Sequence, residues 1–276
     1  MDLVFSDIHA DMDGLQAILD VAFSPEFADR YGAIDRIISL GDLLERGTGP
    51  QQVLQKMSEL SKSYGMISVM GNHDEGFLYK KSISGSSFAS LKAHDLLTAH
   101  DLEFFRENGD GTFGDQYVVD KKGGLFCVHG GPVNPDKIEK GGGDPWLYQR
   151  TWQRLSEEGN EFYSHYGYHY TPSSAFEEAR THLDGCIILC GHQHIEAAIR
   201  QRGDEITNIW SFQHTTEKIA SHLLQKHEIP IEKNSNYLIR MGLGGPQGHH
   251  TGALAVPHFG IIQDSPRKVS LFSIER

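Results

Sequence analysis

Short apolar runs alternate with helical patterns of polar and apolar residues in the first part of the chain. Apolar runs at 3–6, 37–40 and 66–70 predict three β-strands, and amphipathic stretches at 13–22 and 51–61 predict the helices between them. A strand–helix–strand–helix–strand succession is typical of an α/β fold with a largely parallel sheet. Beyond this unit the pattern predicts a helical stretch at about 88–107 and strands at 116–120, 125–128, 187–190, 237–240, 258–262 and 269–274.

Two segments, at about 133–185 and 211–236, interrupt this order, and we interpret them as insertions in a single domain of residues 1–276. The first is rich in aromatic residues: nine positions between 144 and 176 are Phe, Trp or Tyr, whereas aromatic residues make up 10% of the whole chain. We expect this insertion to form a cap that faces the substrate, with ordinary packing of an inserted helical pair as the alternative. The second insertion is amphipathic over 215–227 and polar from there to Asn236.

Composition and charge limit the partners of the chain. Its 37 acidic and 25 basic residues give a net charge of −12, which disfavours stable binding to nucleic acid or to anionic lipid. No window contains 18 uninterrupted apolar residues, and the N-terminus has neither a basic region nor an apolar signal core, so we expect a cytoplasmic protein without a membrane span. The three cysteines lie in apolar runs, where a thiol behaves as a small buried hydrophobe: Cys127, Cys186 and Cys190.

Five short polar clusters each lie at or just after the carboxyl end of a predicted strand, where α/β sheets place their ligand sites. They are Ser6-Asp7-Ile8-His9, Gly41-Asp42, Gly71-Asn72-His73-Asp74, His129-Gly130-Gly131 and Gly191-His192-Gln193-His194. A single such cluster is more typical of an ordinary hydrogen-bonded histidine, but five at strand ends predict a shared site. Its side chains offer imidazole, carboxylate and amide groups without sulfur, a donor set that suits Mn, Fe, Zn, Ni or Mg.

In this order the clusters, together with the extension Glu45-Arg46-Gly47, resemble the calcineurin-like metallophosphoesterase superfamily. Residues 1–132 and 186–200 carry the resemblance. It implies two packed mixed β-sheets flanked by helices, a four-layer α/β sandwich with the site at the strand ends. It also implies two divalent metal ions, with manganese as the leading candidate and Fe, Zn, Ni or Mg as alternatives.

The resemblance further implies a role for each motif residue. Ligands of the first metal would be Asp7, His9 and His194, those of the second would be Asn72, His129 and His192, and Asp42 would bridge both. Asn72 would also contact the substrate. Water activated by the two metals would then attack phosphorus in line with the leaving group.

His73 is the expected general acid, with a structural role as the alternative, and Arg46 is expected to hold the phosphoryl group rather than to form a surface ion pair. Glu45 stands where the resembling phosphatases have the Asp that orients the catalytic histidine, so its side chain is one methylene longer. Arg150 is the candidate for a second phosphate-binding arginine, with Arg154 and Arg180 as rivals.

The motifs mix features of two branches of the superfamily. The segment GDLLERG at 41–47 resembles the phosphoprotein phosphatases and the diadenosine tetraphosphatase group, whereas Gly-His-Gln-His and the segment 238–247 resemble small bacterial phosphodiesterases. We therefore expect a phosphatase that acts on a phosphorylated small molecule, a nucleotide such as a dinucleoside polyphosphate, or a phosphoprotein. A phosphodiesterase of the same fold and a non-catalytic metal-binding scaffold are the alternatives. The oligomeric state is not indicated.

Overall fold

The computed structural model describes residues 1–81, 86–107, 114–139, 144–156, 167–246 and 256–275. Within these ranges the helices are α1 (Met12–Ala22), α2 (Pro25–Tyr31), α3 (Pro50–Ser63), α4 (Asn72–Leu78), α5 (Phe88–His94), α6 (Glu103–Glu107) and α7 (Pro172–Arg180). The strands are β1 (Asp2–Phe5), β2 (Arg36–Ser39), β3 (Gly65–Ser68), β4 (Tyr117–Asp120), β5 (Leu125–Val128), β6 (Arg154–Leu155), β7 (His169–Tyr170), β8 (Ile187–Cys190), β9 (Ala197–Arg202), β10 (Glu205–Asn208), β11 (Thr215–Ile219), β12 (His222–Pro230), β13 (Asn236–Arg240), β14 (His258–Asp264) and β15 (Arg267–Glu275).

Two mixed sheets form the centre of the fold, and this confirms the expected fold class. The first sheet has the strand order β11–β12–β15–β14–β1–β2–β3, in which β1, β2 and β3 are parallel. The second has the order β10–β9–β13–β8–β5–β4, in which β13, β8 and β5 are parallel and the outer strands are antiparallel.

Alternating side chains along the strands connect these sheets to each other and to the helices. In β1, Val4 faces the core between the sheets, where it packs with Ile38, Cys127 and Leu189. Phe5, on the opposite face of β1, joins the core that the first sheet forms with α1, α2 and α3. A separate core lies between the second sheet and α7. Strands buried on both faces explain the continuous apolar runs in the sequence.

Helices α1 and α3 connect the three parallel strands. Helix α1 begins after Asp11, whose carboxylate accepts a hydrogen bond from the backbone N–H of Gly14 at 2.9 Å, and its apolar side chains recur at helical spacing. Helix α3 begins at Pro50, a residue that tolerates the first helical position because no intrahelical hydrogen bond is lost there. Each connection returns the chain to the start of the next strand, so all three strands end at the same edge of the sheet.

The two predicted insertions have different structures. Residues 215–230 form the antiparallel hairpin β11–β12 at one edge of the first sheet. The described part of the segment 133–185 contains the short strand pair β6–β7 and helix α7, while its residues 140–143 and 157–166, including Phe162, Tyr163 and Tyr166, lie outside the described residues.

Other expectations from the sequence concern single residues and membrane spans. All three cysteines are buried and free, as predicted.

Arg36 of β2 forms ion pairs with Asp2 in the first sheet, at 2.6 Å, and with Asp120 in the second, at 2.5 Å, and so joins the sheets at one end. No helix in the described part of the chain is both long and apolar enough to cross a bilayer.

Candidate metal centre

The five polar clusters come from both sheets and meet at one place. The segments after β1, β2 and β3 supply Asp7, Asp42 and Asn72 from the first sheet, and those after β5 and β8 supply His129 and His192 from the second. Parallel strands end at a common edge, and here the carboxyl edges of two packed sheets adjoin. The site therefore lies across the boundary between the sheets.

Asp7, His9, Asp42 and His194 form a group with ligand atoms that all lie within 4.8 Å of one another. His194 Nε2 is 3.1 Å from Asp7 Oδ1 and 3.2 Å from His9 Nε2. His9 Nε2 is in turn 3.7 Å from Asp42 Oδ2. Three of these residues are buried and His194 is partly exposed, so the group faces solvent on the side of His194.

Asp42, His129 and His192 form an adjoining group of the same kind. His129 Nε2 lies 3.3 Å from Asp42 Oδ2 and 3.2 Å from the side-chain oxygen of Asn72. The carboxylate of Asp42 thus belongs to both groups. The structure brings together all seven residues for which the resemblance implied a ligand role.

Backbone carbonyls orient two of the imidazole rings. Nδ1 of His129 lies 2.7 Å from the carbonyl oxygen of Leu40, and Nδ1 of His9 lies 3.3 Å from that of Leu44. A carbonyl only accepts, so in both rings Nδ1 carries a hydrogen and donates it. In the neutral ring Nε2 then turns its lone pair toward the cluster, which is the arrangement expected of a metal-ligating histidine.

Three atoms of the cluster that can accept a hydrogen bond are buried close to one another. Asp7 Oδ1, Asp42 Oδ2 and His192 Nε2 are buried, and none has a hydrogen-bond partner within the described part of the chain. Buried acceptors of this kind are costly unless a cation compensates them. The residues present therefore fit divalent ions, and the sulfur-free donor set suits Mn, Fe, Zn, Ni or Mg.

The electrostatics of the cluster agree with a cation site. Burial favours a high pKa for Asp42, but the charges of His129, His73 and His9 outweigh it and hold that pKa well below its ordinary value. Burial favours a low pKa for His129, but Asp42 and Asp7 raise it to about 9. A proton on His129 thus compensates Asp42 in the metal-free protein, and we expect metal binding to displace it.

The backbone around the cluster adopts conformations that most residues avoid. Twelve non-glycine residues in the described ranges have positive φ, and eight of them lie in the five motifs, in the extension 45–47 or directly after a motif: Asp7, His9, Ala10, Asp42, Glu45, Arg46, His192 and His194. Such conformations cost energy and concentrate at functional sites. Glycine is required nearby, because a Cβ at Gly71 would collide with the Asp42 carboxylate and one at Gly191 with the Ser6 hydroxyl.

His73 lies beside the cluster, in contact with Glu45 and Arg46. Its Nδ1 is 2.7 Å from Glu45 Oε2, and its Nε2 is 3.1 Å from Arg46 Nη2. A guanidinium group only donates, so Nε2 accepts from Arg46 while Nδ1 donates to Glu45. The longer side chain of Glu45 thus reaches the ring, which resolves the question raised by the substitution of Glu for Asp.

Asp74 anchors the loop that carries Asp42, a role that the sequence did not reveal. Its carboxylate accepts hydrogen bonds from the backbone N–H groups of Asp42 (2.9 Å), Leu43 (3.0 Å), Leu44 (2.9 Å) and Gly71 (2.9 Å). Burial and the charge of Asp42 raise the pKa of Asp74 to about 7. The only sequence signal was an acidic residue two positions after Asn72.

The two candidate arginines lie in different surroundings. Arg150 is buried, its Nε donates to the carbonyl oxygen of Pro132 at 3.1 Å, and its guanidinium group lies 4.3 Å above the centre of the Tyr117 ring. Burial and, next in size, the charge of Arg154 lower the pKa of His192. The charge of Arg154 therefore reaches the cluster electrostatically, while Arg150 is held by Pro132 and Tyr117.

The aromatic insertion reaches the cluster at Trp152. The centre of its ring lies 6.0 Å from that of His192 in an edge-to-face contact, and Trp146 packs against Trp152 at 5.0 Å. Buried Glu75, on α4, fixes this segment: its Oε2 accepts from the indole N–H of Trp146 at 2.9 Å and from the hydroxyl of Thr151 at 2.7 Å. The role of Glu75 leaves no signal in the sequence, because its side-chain partners lie at least 41 positions away.

Comparisons with known proteins agree with this geometry. A family model for calcineurin-like phosphoesterases matches residues 3–196. Among curated proteins, the uncharacterized protein MJ0912 of Methanocaldococcus jannaschii is 35% identical over 83 residues. That match covers 30% of each protein, so the chain matches less than a third of the length of this relative.

Solved structures with the same fold extend the likeness to nearly the whole chain. A metallophosphoesterase from Sphaerobacter thermophilus superimposes with a TM-score of 0.58 at 19% identity, over 99% of this chain and 88% of its own. A protein serine/threonine phosphatase from Saccharomyces cerevisiae with similarity to human phosphatase PP5 gives a TM-score of 0.53 at 12% identity, over 100% and 79%. At such identities the likeness establishes the fold.

Proposed function

We infer that this chain, which belongs to the calcineurin-like phosphoesterase family, is a metal-dependent hydrolase whose centre is the cluster between the carboxyl edges of its two sheets. The observation that carries this proposal is the pair of adjoining ligand groups that share Asp42. The groups would hold two divalent ions, one by Asp7, His9 and His194, the other by Asn72, His129 and His192. When bound, such ions supply an activated water nucleophile and positive charge for the phosphoryl oxygens.

His73 is proposed as the general acid. Its contact with Glu45 fixes the orientation of the ring. In the structure, Arg46 occupies Nε2 of His73 as a donor, so that nitrogen cannot hold a proton while the contact persists. We propose that Arg46 leaves His73 when it binds the phosphoryl group. Nε2 of His73 is then free to take up the proton that His73 delivers to the leaving-group oxygen.

Arg154 is proposed as the second cation at the substrate side, in place of Arg150. The residue after it, Leu155, donates its backbone N–H to the side chain of Gln193 at 2.7 Å, and Gln193 lies between two proposed ligands in the sequence. This contact fixes the segment 154–155 against the motif. Arg150, by contrast, is held by the Pro132 carbonyl and Tyr117.

The segment 133–185 is proposed to form one wall of the active site within a single domain of residues 1–276. Trp152 touches His192 in the cluster, while Tyr170 and Phe176 of the same segment pack in the core beneath the second sheet. The aromatic residues of this segment that the structure describes thus divide between a site-facing group and a structural group. We further propose that the exposed edge of this wall selects the substrate.

Phosphomonoesters are the proposed substrate class, because Arg46 stands next to the acid and its planar fork suits a terminal phosphoryl group. The test is turnover of p-nitrophenyl phosphate against bis-p-nitrophenyl phosphate, with Mn²⁺ added first and Fe, Zn, Ni and Mg compared after it. Chelator-treated enzyme is the control. Chelator-sensitive preference for the monoester supports the proposal and directs the next assays to phosphopeptides, nucleotides and dinucleoside polyphosphates.

A phosphodiesterase is the second candidate function, and the Gly191-His192-Gln193-His194 segment favours it through its resemblance to that branch. Preference for the diester would overturn the monoester assignment. Absence of chelator-sensitive turnover of either ester, in protein shown to bind metal, would favour a non-catalytic scaffold and contradict the proposal of hydrolysis.

A further inference from the structure

The loop 42–46 directs five consecutive backbone N–H groups at side chains of the segment 74–94. Asp74 accepts the first three, the imidazole of His94 accepts that of Glu45 at 2.7 Å, and the hydroxyl of Ser86 accepts that of Arg46 at 3.2 Å. Side chains therefore satisfy the N–H groups of the loop that carries the bridging carboxylate, the partner of His73 and the phosphoryl clamp, while the carbonyls of Asp42 and Leu43 accept from the backbone of 9–10.

His94, the last residue of α5, has a protonation state that its two partners determine. The backbone N–H of Glu45 can only donate, so Nε2 of His94 accepts. The carbonyl oxygen of Ser90 can only accept, so Nδ1 donates to it at 2.8 Å. Burial lowers the pKa of His94, which keeps the ring neutral and Nε2 free to accept near neutral pH.

The position of the Glu45 amide decides two other contacts. Glu45 and Arg46 both have left-handed backbone conformations, with φ of 64° and 65°, and these are not favoured for either residue type. A residue in such a conformation stays there only when its surroundings hold it. From this position the side chains of both residues point to opposite nitrogens of His73.

We propose that His94 is a positioning residue that fixes the Glu45–Arg46 backbone, so that Glu45 orients His73 and Arg46 meets the phosphoryl group. The proposal rests on the proposed function for its catalytic consequence. Within the described residues, the side-chain hydrogen bonds of His94 are with Glu45 and Ser90 and its ring packs on Phe77, and none of these is a proposed metal ligand. Its replacement is therefore expected to alter proton delivery and phosphoryl binding and to leave metal content unchanged.

Two variants separate the positioning role of His94 from its contribution to packing. In His94→Gln the side-chain oxygen can reach the place of Nε2 and accept from Glu45, whereas in His94→Asn the shorter side chain reaches only the place of Nδ1. Both remove the ring that packs against Phe77, so they share the packing loss and differ in the hydrogen bond to the loop. His100→Asn is the matched control, because the His100 side chain is 88% exposed.

The kinetic measurement compares phenyl phosphate, which needs a proton on its leaving group, with p-nitrophenyl phosphate, which needs it far less. We expect His94→Asn to lower kcat on phenyl phosphate by about tenfold more than on p-nitrophenyl phosphate, a part of the usual general-acid contribution. We expect His94→Gln to recover most of this difference, with unchanged metal content in both variants. Equal losses in the two variants, or equal losses on the two esters, would overturn the proposal.

A spectroscopic readout on metal-free protein separates this inference from the proposed function. In long-range ¹H–¹⁵N spectra, one of the neutral rings protonated at Nδ1 should be missing from both variants and so be assigned to His94. The amide resonance of Glu45 should shift in His94→Asn and return towards its wild-type position in His94→Gln. An unshifted Glu45 amide overturns the positioning role, whatever the activity. If the wild-type protein shows no turnover but the variants show these shifts, only the hydrolase assignment is contradicted.

Discussion

Shortening Glu45 to Asp would restore the residue type of the resembling phosphatases, yet we expect it to impair this enzyme. Glu45 Oε2 lies 2.7 Å from Nδ1 of His73. Removal of one methylene retracts the carboxylate by about 1.5 Å, one carbon–carbon bond length. The separation would then be about 4 Å, beyond the range of a hydrogen bond.

The size of the effect follows from the kind of contact that is lost. A hydrogen bond between a carboxylate and an imidazolium contributes about 1.5–3 kcal/mol, which corresponds to about 10-fold to 150-fold in rate if it is made fully in the transition state. Backbone strain does not contribute to the loss, because Asp tolerates positive φ better than Glu does. We therefore expect the Glu45→Asp variant to be folded and slow.

The assay is the dependence of kcat on the acidity of the leaving group, measured with a series of substituted phenyl phosphates. Glu45→Asp should steepen this dependence, because proton delivery by His73 is weakened and good leaving groups need it least. Glu45→Gln is the control that keeps the length of the side chain and removes its charge. Wild-type rates across the series in Glu45→Asp would refute the idea that Glu45 orients His73.

Three further outcomes are expected. Asp42→Asn should lose metal from both groups, since one carboxylate belongs to both; elemental analysis that finds two ions retained would exclude the bridge. Glu75→Ala should raise KM for bulky phosphoesters at unchanged metal content, because Trp146 and its neighbours lose their anchor, whereas Glu75→Gln should stay near wild type. Identical kinetics in the two variants would contradict the proposal that the segment 133–185 forms a wall of the active site. In native protein at pH 8 no thiol should react with Ellman's reagent, because all three are buried and burial raises the pKa of Cys127 to about 12 and that of Cys186 to about 11. In guanidinium all three thiols should react. Rapid labelling of the native protein would contradict the burial of the cysteines.

The sequence predicted the parallel strands and the metal cluster for a common reason. Buried parallel strands are continuous apolar runs, and the residues that follow them are gathered at one edge without any long-range information. Asp7, Asp42 and His129 could therefore be assigned to one site from their places in the pattern. The resemblance predicted that Glu45 would orient His73. The distance between the two side chains, however, depends on the backbone conformation of the loop 42–46, which the sequence pattern does not show.

The hairpin β11–β12 shows why other elements were missed. Its turn is formed by Ala220 and Ser221 with φ of 49° and 71°, whereas the favoured residues for two consecutive positive φ values are Asn and Gly. Without that signal, the apolar spacing in 215–227 indicated only an amphipathic stretch. Residues 215–219 pair with 222–226, and β12 pairs on its other side with β15, a strand that is distant in sequence.

Asp74, Glu75 and His94 escaped sequence analysis for a different reason. Each acts through hydrogen bonds to partners that are distant in sequence, such as the 49 positions between His94 and Glu45. Their partners are largely backbone groups or indole and hydroxyl donors, which leave no charge pattern or spacing to recognise. Arg150 was the candidate that the resemblance suggested, and our proposal of Arg154 instead depends on folded surroundings that the sequence does not show: the stacking of Arg150 on Tyr117 and the effect of the Arg154 charge on His192.

The strand order of the two sheets also determines when during synthesis the site comes into existence. Strand β13 lies between β8 and β9, and β14 lies between β1 and β15, so each sheet closes on a strand from the last part of the chain. The Asp7 carboxylate and the His192 amide that donates to it are 185 positions apart. A fragment that ends at residue 196 should consequently bind no metal, which equilibrium dialysis would check. On the ribosome, a growing chain would remain chemically inert until β13 and β14 had emerged, so that copies cut short before these strands would carry no hydrolytic activity.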